Sequence, residues 1–62
     1  MEGSEPPHIH VEHGKNVAKF WLDPVAVAES RGFRSHELNP LGLLVIERWV
    51  AFMEAWNAHF GR

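Results

Sequence analysis

A small α+β protein, in which an antiparallel β-hairpin packs on one long C-terminal helix, is what these 62 residues predict. Three observations carry the prediction. "HIHVEH" (8–13) alternates polar and apolar residues with a period of two, the pattern of a half-buried strand. "VAKFWL" (17–22) follows after a glycine and is rich in β-branched and aromatic residues. Val45, Trp49, Met53, Trp56 and Phe60 then recur at helical spacing and form one apolar stripe.

The chain reads as a single small domain over 1–62, with an extended lead-in (1–7), the hairpin (8–22), a strand or turn region (23–34) and the helix (35–60). So short a chain buries only ~60% of its unfolded surface, which leaves its own core marginal. There are no cysteines, so neither a disulfide nor a thiolate metal site reinforces it. A hydrophobic share of 45%, with three Trp and four Phe, argues against disorder. Efficient packing, a metal or self-association remain as the means of stabilisation.

Pro6 and Pro7 resist regular structure and mark the lead-in. Gly14 supplies the positive φ of the hairpin turn. In "DPVAVAES", Val25 and Val27 alternate as in a short third strand, which is the favoured assignment. Asp23 and Pro24 also suit the cap and first turn of a short helix ending at Gly32. "RGFRS" is a loop. For the C-terminal helix, either Ser35 caps a first turn that Pro40 kinks, or Asn39 is the cap with Pro40 in the first position. Gly61 is the expected stop. The stripe is expected to be the core-facing side, so Trp49→Ala or Trp56→Ala should cost ~3–5 kcal/mol. Leu43, Leu44, Ile46 and Val50 lie off that stripe, and a helix apolar nearly all round must be covered on more than one side. These four residues are therefore the expected interface of a homo-oligomer, most simply a dimer.

The hairpin register decides where the histidines go. A two-residue turn at Gly14–Lys15 pairs His13 with Asn16, Val11 with Ala18 and Ile9 with Phe20, so that the apolar residues share a face. The other face then carries His8 opposite Trp21, His10 opposite Lys19 and Glu12 opposite Val17. A three-residue turn would bury imidazoles on the side of Phe20 and mismatch every pair.

Two imidazoles on one side of a strand, with Glu12 nearby, have the right donors for a metal, but Lys19 places a positive charge beside them. No metal or cofactor is therefore assigned. The same face suits an anion: Lys19 and Lys15 to neutralise phosphate, Trp21 to stack on a base, and His8 and His10 as candidate catalytic groups for acid–base chemistry near pH 7. The plain alternative is a polar sheet face, solvated or covered by a partner. Ser35, His36 and Glu37 are adjacent at a helix start and do not converge as a triad. Glu47, Arg48 and Glu54 read as solvated helix positions. The net charge of -2 excludes bulk electrostatics as the driver of nucleic-acid binding. No apolar run reaches the ~20 residues of a membrane span. "MEGSEPPH" has no apolar core of a signal peptide, so a cytoplasmic protein without membrane contact is expected.

"PPHIHVEHG", "AKFWLDPV", "SRGF", "EL" and the terminal "AWNAHFG" resemble the small prokaryotic proteins grouped as domain of unknown function 4160, over nearly the whole chain. The resemblance implies a hairpin-rich sheet on a C-terminal helix, with His8, His10, Lys19 and Trp21 at the positions that would carry function. It also implies an arrangement like a toxin–antitoxin pair, because members often lie beside another small protein. Members usually begin about twenty residues earlier, one or two strands' worth. Without that segment the hairpin keeps an open edge, which invites pairing with another copy or another protein. "NPLGLL" also replaces basic and polar residues with apolar ones, which weakens a nucleic-acid role for the helix and strengthens the oligomer expectation. Two functions are thus expected in competition. One is an RNA-directed component working through the hairpin face. The other is a non-enzymatic interaction module that self-associates or binds a small protein partner, with incidental or weakly metal-binding histidines.

Overall fold

The computed structural model describes residues 5–60. Three antiparallel strands, β1 (His8–His13), β2 (Asn16–Leu22) and β3 (Val25–Arg31), form one sheet in the order β1-β2-β3. Two helices, α1 (Ser35–Glu47) and α2 (Trp49–Phe60), follow.

The first hairpin has the register that a two-residue turn requires, from His13 opposite Asn16 through His10 opposite Lys19 to His8 opposite Trp21. Gly14 takes a φ of 64°, which a residue with a Cβ adopts only at a cost. Alternation then sorts the side chains of β2. Ala18, Phe20 and Leu22 are buried beneath the helices, while Val17, Lys19 and Trp21 face the other way. Val45 of α1 completes the buried core, and Ile9, Val11, Leu38, Phe52 and Met53 pack around it.

The third element is a strand, the favoured assignment, and it runs on to Arg31; only the alternatives of a turn or a short helix are corrected. Asp23 and Pro24 are the tight connection between β2 and β3 rather than a helix start, with a cis peptide between them. Beside β2 the register of β3 slips by one residue: Lys19 pairs with Glu29 and Phe20 with Val27, leaving Ala28 as the extra residue of a β-bulge. After β3 the chain turns at Gly32, whose φ is 93°. A Cβ there would collide with the Asn16 side chain.

The single long helix over 35–60 is also corrected: Arg48, at φ -108° and ψ 20°, separates two helices. Hydrogen bonding continues across it, from the Arg48 N–H to the Leu44 carbonyl (3.0 Å) and from the Phe52 N–H to the Arg48 carbonyl (3.0 Å). The cause is tertiary. The Trp49 indole N–H donates to the Leu22 carbonyl at the end of β2, and the two helices follow different strands, α1 beside β3 and α2 beside β2. The expected core stripe is therefore divided. Val45 is buried and Met53 and Trp56 are half-buried, but Trp49 is 37% exposed and Phe60 63%.

Neither expected cap holds. Arg34 is the N-cap of α1, and Glu37 reaches back to accept its N–H at 2.8 Å. Pro40 lies inside α1. Gly61, the expected stop, and residues 1–4 of the lead-in fall outside the described residues.

Candidate functional site

The outer sheet face is assembled by alternation alone. β1 contributes His8, His10 and Glu12, β2 contributes Val17, Lys19 and Trp21, and β3 contributes Ala26, Glu29 and Arg31. Both candidate catalytic histidines, Lys19 and Trp21 are thus brought together. The His8 and His10 rings meet edge to face with centroids 5.5 Å apart, and His8 meets Trp21 in the same way at 6.0 Å. The Lys19 ammonium lies 4.7 Å from the centre of the Trp21 ring. Lys15 is not part of this group. It sits in the turn, four residues from Lys19, or ~13 Å along the strand at ~3.3 Å per residue.

Two segments join the site that the sequence did not assign to it, residues 5–7 and α2. Residues 5–7 of the lead-in lie at the open end of the hairpin. The Leu22 N–H donates to the Pro7 carbonyl (2.9 Å), and Lys19 Nζ donates to Glu5 Oε1 at 2.7 Å. His8 Nδ1 lies 2.9 Å from the Pro6 carbonyl oxygen and 3.6 Å from Glu5 Oε1. A carbonyl can only accept, so Nδ1 carries the proton in that contact and neutral His8 keeps an acceptor lone pair on Nε2. From α2, Trp56 packs its ring 4.9 Å from His8, and Phe60 stacks on Trp56 at 4.1 Å. His59 lines the same groove between α2 and β1. The separations in sequence explain why these contacts were missed: Glu5 lies 14 residues from Lys19, and α2 reaches β1 only through the tertiary fold.

Electrostatically the site is balanced rather than basic. Glu5, Glu12 and Glu29 outnumber Lys19 and Arg31. The Lys19 side chain is only 14% exposed and already engaged. Its hydrogen bond, and then its charge, hold the Glu5 carboxyl below the usual carboxylate range, with small further contributions from His8 and His10. Among the described residues, no group of three or more His, Asp or Glu is placed to hold a metal ion. Glu12 therefore does not join His8 and His10 as a third ligand.

The four residues expected at an oligomer interface all lie exposed. Leu43 is 67% exposed, Val50 62%, Ile46 56% and Leu44 43%. Leu43, Leu44 and Ile46 line a broad apolar depression on α1, and Val50 stands in the first turn of α2.

The fold and its sheet-face cluster define a small α+β domain with no assigned chemistry. The chain belongs to the family described as "Domain of unknown function (DUF4160)", whose sequence profile matches residues 1–57. No curated protein and no solved structure matches it. No helix among the described residues is long and apolar enough to cross a membrane.

Proposed function

We propose that this protein is a non-enzymatic interaction module that self-associates through the apolar outer face of its helices. The observation that carries this is the exposure of Leu43, Leu44, Ile46 and Val50 in a chain whose fully buried core, among the described residues, is Ala18, Phe20, Leu22 and Val45. Large aliphatic side chains left this bare on so small a body mark a surface that another polypeptide covers. A second copy is the simplest occupant, because a two-fold axis covers the same patch on both chains at once. Replacing Leu43 and Val50 together with Asp tests it. The variant should remain folded and sediment at a lower mass than the wild-type assembly. Assembly unchanged by both acids would remove this face from the interface.

A second function is favoured by one specific observation, the convergence of His8, His10, Lys19 and Trp21 on one sheet face with Trp56 beside them. On this view the protein is a component of toxin–antitoxin type that binds or acts on RNA. Lys19 would neutralise phosphate, Trp21 would stack, and His8 Nε2 and His10 would handle protons. Glu5 opposes this function, because its carboxylate already occupies Lys19. An NMR titration of the two imidazoles with a short RNA at low salt separates the functions. Shifts at both rings that Lys19→Ala abolishes support the RNA role, and silent imidazoles in a folded protein leave the interaction module.

A further inference from the structure

The open edge of the sheet carries an inference that is independent of the helix face. In a hairpin closed by a two-residue turn, His13 and Asn16 form a hydrogen-bonded pair, and so do Val11 with Ala18 and Ile9 with Phe20. The bond from the Leu22 N–H to the Pro7 carbonyl continues that alternation. The backbone N–H and C=O groups of His8, His10 and Glu12 therefore point outward along an edge that no strand among the described residues pairs with. The opposite edge is interrupted by the bulge at Ala28, a device that discourages pairing, whereas β1 is regular throughout.

Beside the β1 edge lies a groove of about 660 Å³, lined by the consecutive residues 8–11 and by Phe52, Trp56 and Phe60 of α2. Consecutive residues of a strand face opposite ways, so a groove that touches all of them runs along the edge and not over one face. His8 belongs to the outer face, whereas α2 packs Phe52 and Met53 into the core under the other. The contact between His8 and Trp56 is thus made around the strand's outer edge, where an added strand would lie.

We propose that this edge pairs with β1 of a second copy, antiparallel, about a two-fold axis at His10. The sequence of β1 is self-complementary in that one register. Outward-pointing residues must meet outward-pointing residues, which sets His8 against the partner's Glu12, His10 against the partner's His10, and Glu12 against the partner's His8. The Glu12 carboxylate accepts the Nε2–H of a protonated His8, or the Nδ1–H of a neutral His8 that releases the Pro6 carbonyl, so both end pairs can form. On the core face Ile9 meets the partner's Val11 and extends the apolar layer toward Phe52 and Trp56. Pro6 has no N–H to offer and the turn at Gly14 ends the strand, so His10 is the midpoint of the usable outward positions. The two three-stranded sheets become one continuous sheet, and the pairing requires the Trp56 ring, which lies against His8, to leave the strand edge.

The chain lacks cysteine, which makes single-cysteine cross-linking a direct test. Facing residues of a hydrogen-bonded antiparallel pair have Cα atoms ~5.5 Å apart, within the ~4.4–6.8 Å that a disulfide spans. Under mild oxidation most of a His10→Cys chain should form a covalent dimer. His8→Cys, Glu12→Cys and the exposed turn variant Lys15→Cys should remain largely uncross-linked. His10→Cys should cross-link equally well when Leu43 and Val50 are both Asp, because the edge does not depend on the helix face. If His10→Cys cross-links no better than Lys15→Cys while the wild-type chain sediments as an oligomer that those acids dissolve, the edge pairing is overturned and the helix-face interface stands. If the wild-type chain is also monomeric, both are overturned. Cross-linking at His8 or Glu12 in place of His10 would overturn the register.

Discussion

Phe20 and Glu5 show how differently two side chains can bear on this structure. Phe20 and Leu22 are the largest fully buried side chains. At ~0.05–0.15 kcal/mol per residue the whole chain is stable by only about 3–9 kcal/mol. Removing a buried aromatic ring costs ~3–5 kcal/mol, so Phe20→Ala should leave most of the protein unfolded at ambient temperature. Trp56 is half-buried against His8, and Trp56→Ala should therefore shift the urea midpoint clearly less than Phe20→Ala. Equal losses would return the core to the helix stripe that the sequence suggested. At Glu5 the effect is electrostatic. Its carboxyl titrates below the ordinary range because the Lys19 ammonium favours the charged form. For a depressed carboxylate the contact is fully present above the unfolded-state value and is lost as pH falls through the folded one. The side-chain carboxyl signal of Glu5 should accordingly show a low midpoint that Lys19→Ala returns to the ordinary range. A midpoint unmoved by that substitution would separate the two groups.

Among the elements, the first hairpin and the helical stretch from Ser35 to Phe60 were legible from their residues, and the break at Arg48 was not. Gly14 and the alternation of "HIHVEH" fixed the turn length, and the turn length fixed every cross-strand pair from His13–Asn16 to His8–Trp21. The third strand announced itself only through Val25 and Val27, because the bulge at Ala28 breaks the period of two just beyond them. Pro40 drew attention to the wrong place. It sits within α1, whereas the division falls at Arg48, in a stretch with neither glycine nor proline. What divides the helix is the bond from the Trp49 indole to the Leu22 carbonyl, and no local pattern records such a contact. The lead-in was read only as extended chain, so the Glu5–Lys19 pair was out of reach, although the histidine–lysine–tryptophan grouping itself followed from the register. The two turn glycines test the element geometry. Gly14→Ala meets only the cost of a left-handed conformation, ~1–2 kcal/mol, since nothing lies within 4 Å of an added Cβ. Gly32→Ala adds a collision with Asn16 and should lower the melting temperature further than Gly14→Ala. The reverse order would contradict the packing of Gly32 against the first residue of β2.

For the whole molecule, the imbalance lies between what is buried and what is left bare. The two helices cover one side of the sheet well enough to bury Ala18, Phe20 and Leu22, but they spend Leu43, Ile46, Val50 and Phe60 on the outside. The opposite sheet face is polar, with alternating charges that neither repel a partner strongly nor attract a polyanion. Both features are what the proposed self-association through the helix face and the β1 edge would require. The measurement that bears most directly on this is sedimentation equilibrium of the wild-type chain from micromolar to millimolar concentration. Self-association predicts a mass that rises to a multiple of the 7.1 kDa chain; a folded protein that stays at the mass of one chain throughout would contradict it.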